Sequence, residues 1–199
     1  MRYHINKKII ILCLFILTSF SLFSSPFGLK MGMTFDEITE ASDDKSPILV
    51  DNDIYYIYPS KTHPAFQTYI AFIDKEYGLY ALRAISDDIL ANRYGSEIKY
   101  KFREIKERIE KIYGSTETVD KIVSKTIWNS EEDWLQSLRE GSRIYVSVWQ
   151  NNNNITLKDD LVMVGLYGQA DSYTNKGWIV LDYNFANIEK VQESQDDVF

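Results

Sequence analysis

The chain has 199 residues, of which 45% are apolar and 26% are charged, with nine glycines, four prolines and one cysteine. These proportions are typical of a globular chain and exclude a disordered, a collagen-like or a disulfide-stapled protein. The length predicts one domain, with a core that needs neither disulfides nor metals for its stability.

The first 25 residues have the layout of a secretory signal peptide. Three cations precede an uncharged apolar run over residues 9–23, and two serines follow it. A membrane anchor is the alternative, but a spanning helix needs about 20 apolar residues and this run is shorter. We therefore expect residues 1–25 to be removed, leaving an exported protein, periplasmic or extracellular, with no stable transmembrane anchor after cleavage.

Removal of this segment takes away three cations and no acidic residue, so the net charge changes from −7 to −10. The remaining residues 26–199 have no cysteine and a single histidine, His63. This excludes a cysteine nucleophile, thiol redox chemistry, cysteine-based zinc sites and any site with two histidine ligands. A strongly acidic chain is also a poor ligand for nucleic acid. We expect no cofactor, no metal site and no nucleic-acid partner.

The clearest predicted element is a long helix over residues 96–113. Its apolar residues recur at spacings of four and three and predict one buried stripe: Ile98, Phe102, Ile105, Ile109 and Ile112. Gly114 follows as the predicted C-terminal cap.

Two shorter helices are predicted from capping boxes, in which a Ser or Thr is followed three residues later by an acid. Thr34 with Glu37 predicts a helix over residues 35–41. Ser130 with Asp133 predicts another over residues 131–139. The polar tail after residue 186 is expected to fray.

Six strands are predicted from short apolar or alternating runs bounded by turn residues. They form two groups of three: residues 55–58, 66–73 and 79–85, then residues 143–149, 161–167 and 178–185. The predicted class is α+β, a mostly antiparallel sheet of about six strands with one long and two short helices packed on it. Residues 26–199 then form a single domain, and the alternative is a pair of α-β-β-β halves, 32–86 and 130–185.

One strand pair predicts a candidate binding surface. If Ile144, Val146 and Val148 face the core, the pleat turns the intervening side chains to the other side. The same reasoning on residues 178–185 leaves a patch rich in the aromatic and arginine side chains favoured at binding hot spots. The predicted binding residues are Arg143, Tyr145, Trp149, Trp178 and Asp182. The alternative is that another layer covers this face and makes it a second core.

No catalytic motif is present in the sequence. A G-x-S-x-G turn, a P-loop, a dinucleotide fingerprint and a zinc motif are all missing. His63 precedes a proline in a predicted loop, and the acidic pairs Asp87–Asp88 and Asp159–Asp160 stand beside element ends, where turns and caps use such residues. No catalytic residue is assigned.

Residues 32–38, Gly-Met-Thr-Phe-Asp-Glu-Ile, resemble the Gly-Met-Thr-x-x-Glu-Val opening of SmpA/OmlA-type envelope proteins. That resemblance implies helices followed by a three-stranded antiparallel sheet and a role in outer-membrane assembly. The chain departs from the family in having no lipidation cysteine after the apolar run and no second helix before the sheet. The chain also has a looser resemblance to small exported bacterial α+β proteins of unassigned activity. It rests on His63–Pro64 with Phe66 and Tyr69, on Tyr94–Gly95, and on Trp128 with residues 133–135.

These observations favour an exported, non-enzymatic domain that binds a protein or a cell-envelope component. The alternative is a hydrolase that uses acidic residues with or without His63. A purely structural envelope protein is a third hypothesis.

Overall fold

The computed structural model describes residues 25–43, 45–152 and 154–196. The predicted signal peptide lies outside the described residues, apart from Ser25. The described residues form four α-helices and nine β-strands. The helices are α1 (Phe35–Glu40), α2 (Ser96–Tyr113), α3 (Trp134–Arg139) and α4 (Ile188–Asp196). The strands are β1 (Ile48–Asp51), β2 (Ile54–Ile57), β3 (Thr68–Asp74), β4 (Gly78–Ile85), β5 (Ile89–Leu90), β6 (Thr118–Ile122), β7 (Arg143–Gln150), β8 (Leu161–Ala170) and β9 (Lys176–Phe185).

All nine strands belong to one antiparallel sheet in the order β1-β2-β3-β4-β9-β8-β7-β6, and β5 pairs with β9. The α+β class is confirmed, whereas the prediction of six strands in two groups of three is wrong. The two predicted groups meet where β4 pairs with β9, with Leu82 opposite Tyr183. Because their last strands are neighbours, the groups form one continuous sheet.

The three strands that the sequence does not predict lie outside the two apolar groups. Strand β1 is an edge strand whose side chains are all exposed, and β5 is only two residues long. Strand β6 forms the other edge and carries Asp120 and Lys121 in its middle. Because neither face of such an edge strand is fully buried, its sequence lacks the regular apolar alternation from which a strand is predicted.

Helix α2 has the predicted bounds, and four of its five predicted stripe residues are buried. Ile112 is the exception, with 62% of its surface exposed, and Tyr113 is buried in its place. Both positions follow Ile109 at helical spacing, so the pattern alone does not choose between them. The N–H of Gly114 donates to the carbonyl of Glu110 at 2.9 Å and ends the helix as predicted.

Helix α1 begins with the predicted capping box. The N–H of Thr34 donates to the Glu37 carboxylate at 2.8 Å, and the N–H of Glu37 donates to the Thr34 hydroxyl at 3.3 Å.

The capping box predicted at Ser130 does not form. The Ser130 hydroxyl donates to the carboxylate of Asp133, so it does not accept a backbone N–H. Residues Glu131–Asp133 make a 3-10 turn instead, and the α-helix begins only at Trp134.

The C-terminal tail, predicted to fray, is helical over Ile188–Asp196. Asn187, just before α4, donates its side-chain amide to the carbonyls of Tyr77 and Leu79 at 2.9 and 3.0 Å. Val191 is 2% exposed. Val191 and the side-chain amide of Asn187 thus hold the helix in place. Its other residues are mostly polar, and for this reason the composition predicts a frayed tail.

The sheet has two faces with different roles. We call the face against α2 the core face; on it, Leu166, Leu181 and Ala84 lie side by side on β8, β9 and β4, all fully or nearly fully buried. Helices α1, α2 and α3 all contribute side chains to the same apolar cluster. The opposite face is called the outer face. In the described part of the chain, no helix is long and apolar enough to cross a membrane.

Candidate functional site

The structure divides the five predicted binding residues between the two faces of the sheet. Trp149 is fully buried on the core face, where its indole Nε1 donates to the carbonyl of Gly114 at 2.8 Å. Ser147, two residues earlier, is 1% exposed. The alternation along β7 is as predicted, but the orientation is wrong, because α2 packs on the Tyr145–Ser147–Trp149 side.

Tyr145 also belongs to the core face. Its ring centroid lies 4.3 Å from that of Phe102 in α2 and 5.3 Å from that of Trp134 in α3. Burial raises the pKa of the Tyr145 hydroxyl to about 12. The ring therefore connects two helices to the sheet, and Tyr145 also lines the groove described below.

Arg143 has a similar structural role at the start of β7. Its Nε donates to the Ser137 hydroxyl of α3 at 2.8 Å, and its Nη1 pairs with the Asp120 carboxylate of β6. Asp120 in turn accepts the indole N–H of Trp134 at 2.9 Å. This cation holds three elements together, and 11% of its side chain is exposed. Arg143 also lines the groove described below.

The side chains expected in the core line a groove on the outer face instead. Ile144, Val146 and Val148 are half-buried. Together with Tyr167 and Gln169 they line a groove of about 640 Å³ that ends at Leu138 and Arg139 of α3. Three aliphatic side chains thus remain partly open to solvent along one strand.

The two remaining predicted residues, Trp178 and Asp182, do lie on the outer face. Asp182 accepts two hydrogen bonds from Arg83 of β4, from Nε at 2.7 Å and from Nη2 at 2.8 Å. This two-point geometry is the strongest arrangement for an arginine–carboxylate pair. The exposed fractions of the side chains are 42% for Arg83 and 14% for Asp182, so the carboxylate is sheltered and the guanidinium faces solvent.

Two aromatic rings flank this ion pair. The Arg83 guanidinium carbon lies 5.9 Å from the ring centroid of Phe72 on β3. On the other side, the hydroxyl of Tyr167 lies over Gly165. A Cβ atom on residue 165 would stand only 2.4 Å from this hydroxyl oxygen. Burial, and then the Asp182 charge, raise the pKa of Tyr167. Gly165 therefore makes room for the ring beside the carboxylate.

Leu90 extends the outer face beyond Trp178. It pairs with Lys176, two residues before Trp178 on the same side of β9, and 75% of its surface is exposed. The outer face thus combines a solvent-facing arginine and aromatic side chains, the residue types enriched at protein-binding hot spots, with exposed aliphatic side chains.

Sequence reasoning missed Arg83 and Tyr167. Arg83 is separated from Asp182 by 99 residues, and only the pairing of β4 with β9 brings the two together. One signal was present, because an arginine inside the apolar run of residues 79–85 needs a partner in a folded sheet.

His63 has a structural environment. Its ring Nδ1 accepts the backbone N–H of Ala65 at 3.1 Å. The backbone N–H of His63 donates to the Tyr69 hydroxyl at 2.9 Å. Burial lowers the pKa of the imidazole, and the nearby cations Arg108 and Lys101 lower it further.

The acidic pairs lie apart from the ion pair of the outer face. Asp88 pairs with Lys176 at 2.8 Å, and Asp159 and Asp160 form the turn before β8. Among the described residues, no three His, Cys, Asp or Glu side chains are grouped so as to hold a metal ion.

Comparison of the chain with protein-family models, with curated proteins and with solved structures found no match.

Proposed function

We propose that this chain is an exported, non-enzymatic binding domain that holds a protein partner on the outer face of its sheet. The observation that carries the proposal is the solvent-facing Arg83 guanidinium, held rigidly by Asp182 and surrounded by apolar and aromatic side chains. A binding surface needs such a preorganised polar group, because ordering a free arginine at an interface costs entropy.

The chemistry of the face defines the partner. Arg83 uses Nε and Nη2 for Asp182, and no hydrogen bond among the described residues uses its Nη1. A partner therefore presents a carbonyl or carboxylate oxygen to Arg83 and apolar side chains to the groove along Val146 and Val148. An open strand face of this kind suits a protein segment better than a small molecule, which needs an enclosed pocket.

Affinity capture from an extract of the source's own cell envelope tests the proposal. Leu90→Glu places a charge on the outer face at a position that is 75% exposed, so it leaves the fold intact. Val146→Glu places the same charge inside the groove. The matched control is Tyr100→Glu, on the solvent side of α2 and 62% exposed.

We expect the unchanged protein and the Tyr100→Glu variant to capture the same protein, and both outer-face variants to lose it. Thermal melts identify any variant whose loss comes from unfolding. Capture that both outer-face variants retain would show that the partner binds elsewhere, and capture of lipid or polysaccharide alone would contradict the protein partner.

A further inference from the structure

A second cavity lies next to the N-terminal segment and shares no lining residue with the groove. Its volume is about 620 Å³, within the range of small-molecule sites. It is lined by Phe27, by the loop before β3, by the end of α2 and by the turn before β8. None of the predicted binding residues contributes to it.

Two buried tyrosines line this cavity, Tyr113 from α2 and Tyr183 from β9, and they are 9% and 8% exposed. Among the described residues, neither hydroxyl has a hydrogen-bond partner, and neither oxygen is sealed from solvent. Both hydroxyls are therefore open to the cavity, and a ligand there has to accept the hydrogen bonds that they otherwise make to solvent. Burial raises the pKa of Tyr113 to about 12, so its hydroxyl keeps its proton and can donate.

The other polar groups of the lining are also mainly donors. Lys61 and Lys111 contribute two ammonium groups, against one carboxylate from Asp159. His63 also lines the cavity, and because its Nδ1 accepts the N–H of Ala65, the proton of the neutral ring is on Nε2. This concentration of cations and donors occurs in a chain whose net charge is −7.

The apolar part of the lining includes Phe27 and Ile112. Ile112 is the one residue of the predicted α2 stripe that does not enter the core, and 62% of its surface is exposed. Its exposure at the cavity provides an apolar surface beside the donors. A ligand that matches both features has anionic oxygens at one end and a hydrocarbon body.

We propose that this cavity binds a small organic anion, a carboxylate or a phosphate monoester. Its oxygens accept hydrogen bonds from the hydroxyls of Tyr113 and Tyr183, and its charge lies among the lysines. Its hydrocarbon body rests on Phe27 and Ile112. The proposal is independent of the protein partner on the outer face.

Calorimetric titration of the exported protein with hexanoate, hexyl phosphate and uncharged hexanol tests the proposal. We expect saturable binding of at least one anion and no binding of hexanol at the same concentration. The relative affinities of hexanoate and hexyl phosphate show whether the cavity prefers a carboxylate or a phosphate monoester. No saturation by either anion at millimolar concentration, or equal binding of hexanol, would overturn the proposal.

Three variants locate the site. Tyr183→Phe and Tyr113→Phe each remove only a hydroxyl, and we expect each to weaken anion binding about tenfold, since hydrogen bonds to charged groups are the strong ones. Tyr100→Phe on the solvent side of α2 is the matched control and should leave affinity unchanged. Because the hydroxyls have no internal partner, we expect neither cavity variant to lower the melting temperature. Unchanged affinity in both cavity variants would overturn the proposal, as would a lowered melting temperature, which would reveal an internal partner.

Discussion

Single residues decide how closely the helices approach the sheet, and Gly95 is the clearest case. It precedes α2 at a φ of +66°, and a Cβ atom there would stand 2.0 Å from the ring of Trp134. Trp134 is 2% exposed, with its ring edge-on to Tyr145, so it has little room to move. The positive φ and the close ring both require a glycine at this position.

Gly95→Ala should therefore lower the free energy of unfolding by about 2–5 kcal/mol, since overpacking and a left-handed backbone each cost roughly 1–3 kcal/mol. Gly141→Ala is the matched control, because Gly141 has a φ of +69° but no atom within 4 Å of its Cβ position. It should lose only about 1 kcal/mol. Denaturant melts measure both values, and equal losses would mean that Trp134 does not pack on Gly95.

His63 predicts a pH dependence of stability. The folded-state pKa of its imidazole lies below the usual value of 6.5, mainly because the ring is buried. The unfolded chain then binds the proton more readily, so stability is complete above pH 6.5 and falls as the pH drops below it. Protonation also removes the acceptor that Nδ1 offers to Ala65.

Urea melts between pH 7.5 and pH 5.5 measure this effect, in a range above the titration of the carboxylates. The free energy of unfolding should fall with pH in the unchanged protein, and the slope should flatten in His63→Asn, which retains an acceptor. An unchanged slope in the variant would assign the pH dependence to other groups.

At the scale of elements, the sequence predicts the helices and the strand cores better than it predicts which way a strand faces. The spacing of Ile98, Phe102, Ile105 and Ile109 is compatible only with a helix that buries these four side chains on one face, and α2 buries them. On β7, both sets of alternating side chains are suited to burial, so alternation alone cannot choose the core face. The position of α2 decides it, because Gly114 at the helix end lies within hydrogen-bond distance of Trp149.

The candidate site was harder to predict than the fold. The alternation of Ile179, Leu181 and Tyr183 on β9 predicts that Trp178 and Asp182 lie on the side away from them, as the structure has it, although Val180 on that side is also buried. Arg83 and Tyr167 come from other strands, and their approach to Asp182 depends on the strand order and register. Neither the strand order nor the register can be predicted from the residue pattern of a single strand.

The orientation of β7 has a measurable consequence. Trp149→Ala removes a fully buried side chain and the hydrogen bond to Gly114, and we expect it to lower the free energy of unfolding by about 3–5 kcal/mol. Val148→Ala, on the half-buried opposite side of the same strand, should cost less than half as much. Similar costs in chemical denaturation would contradict the assignment of the two faces.

Helix α2 offers a second comparison of this kind. Ile105 is 3% exposed, so Ile105→Ala should lower the free energy of unfolding by about 2–5 kcal/mol. Glu107→Ala, on the exposed side of the helix, should change it by no more than about 0.5 kcal/mol. Circular dichroism melts of the two variants provide the measurement.

At the scale of the whole molecule, one sheet separates two surfaces with different chemistry. The core face carries the apolar cluster, to which the N-terminal segment contributes Leu29 at 0% exposure. The outer face carries the ion pair of Arg83 and Asp182. The cavity beside the N-terminal segment has cationic residues in its lining, so the two proposed sites lie apart on this acidic chain.

The predicted signal peptide can be tested on the exported protein by intact-mass analysis. Phe27 packs on Tyr69, with ring centroids 4.8 Å apart, and Leu29 is fully buried, so cleavage should leave both residues in place. We expect the new N-terminus between residues 22 and 26. A mass that includes Met1, or a lipid on Cys13, would contradict export by a cleaved signal peptide.

The most direct test of the outer face as the partner-binding surface is the amount of partner captured by Trp178→Ala, per folded molecule, relative to the unchanged protein. Trp178 is half-buried on the outer face and lies outside the core cluster. We predict that the folded variant loses most of its captured partner. Full capture by folded Trp178→Ala would contradict the proposal that this face of the sheet binds the partner.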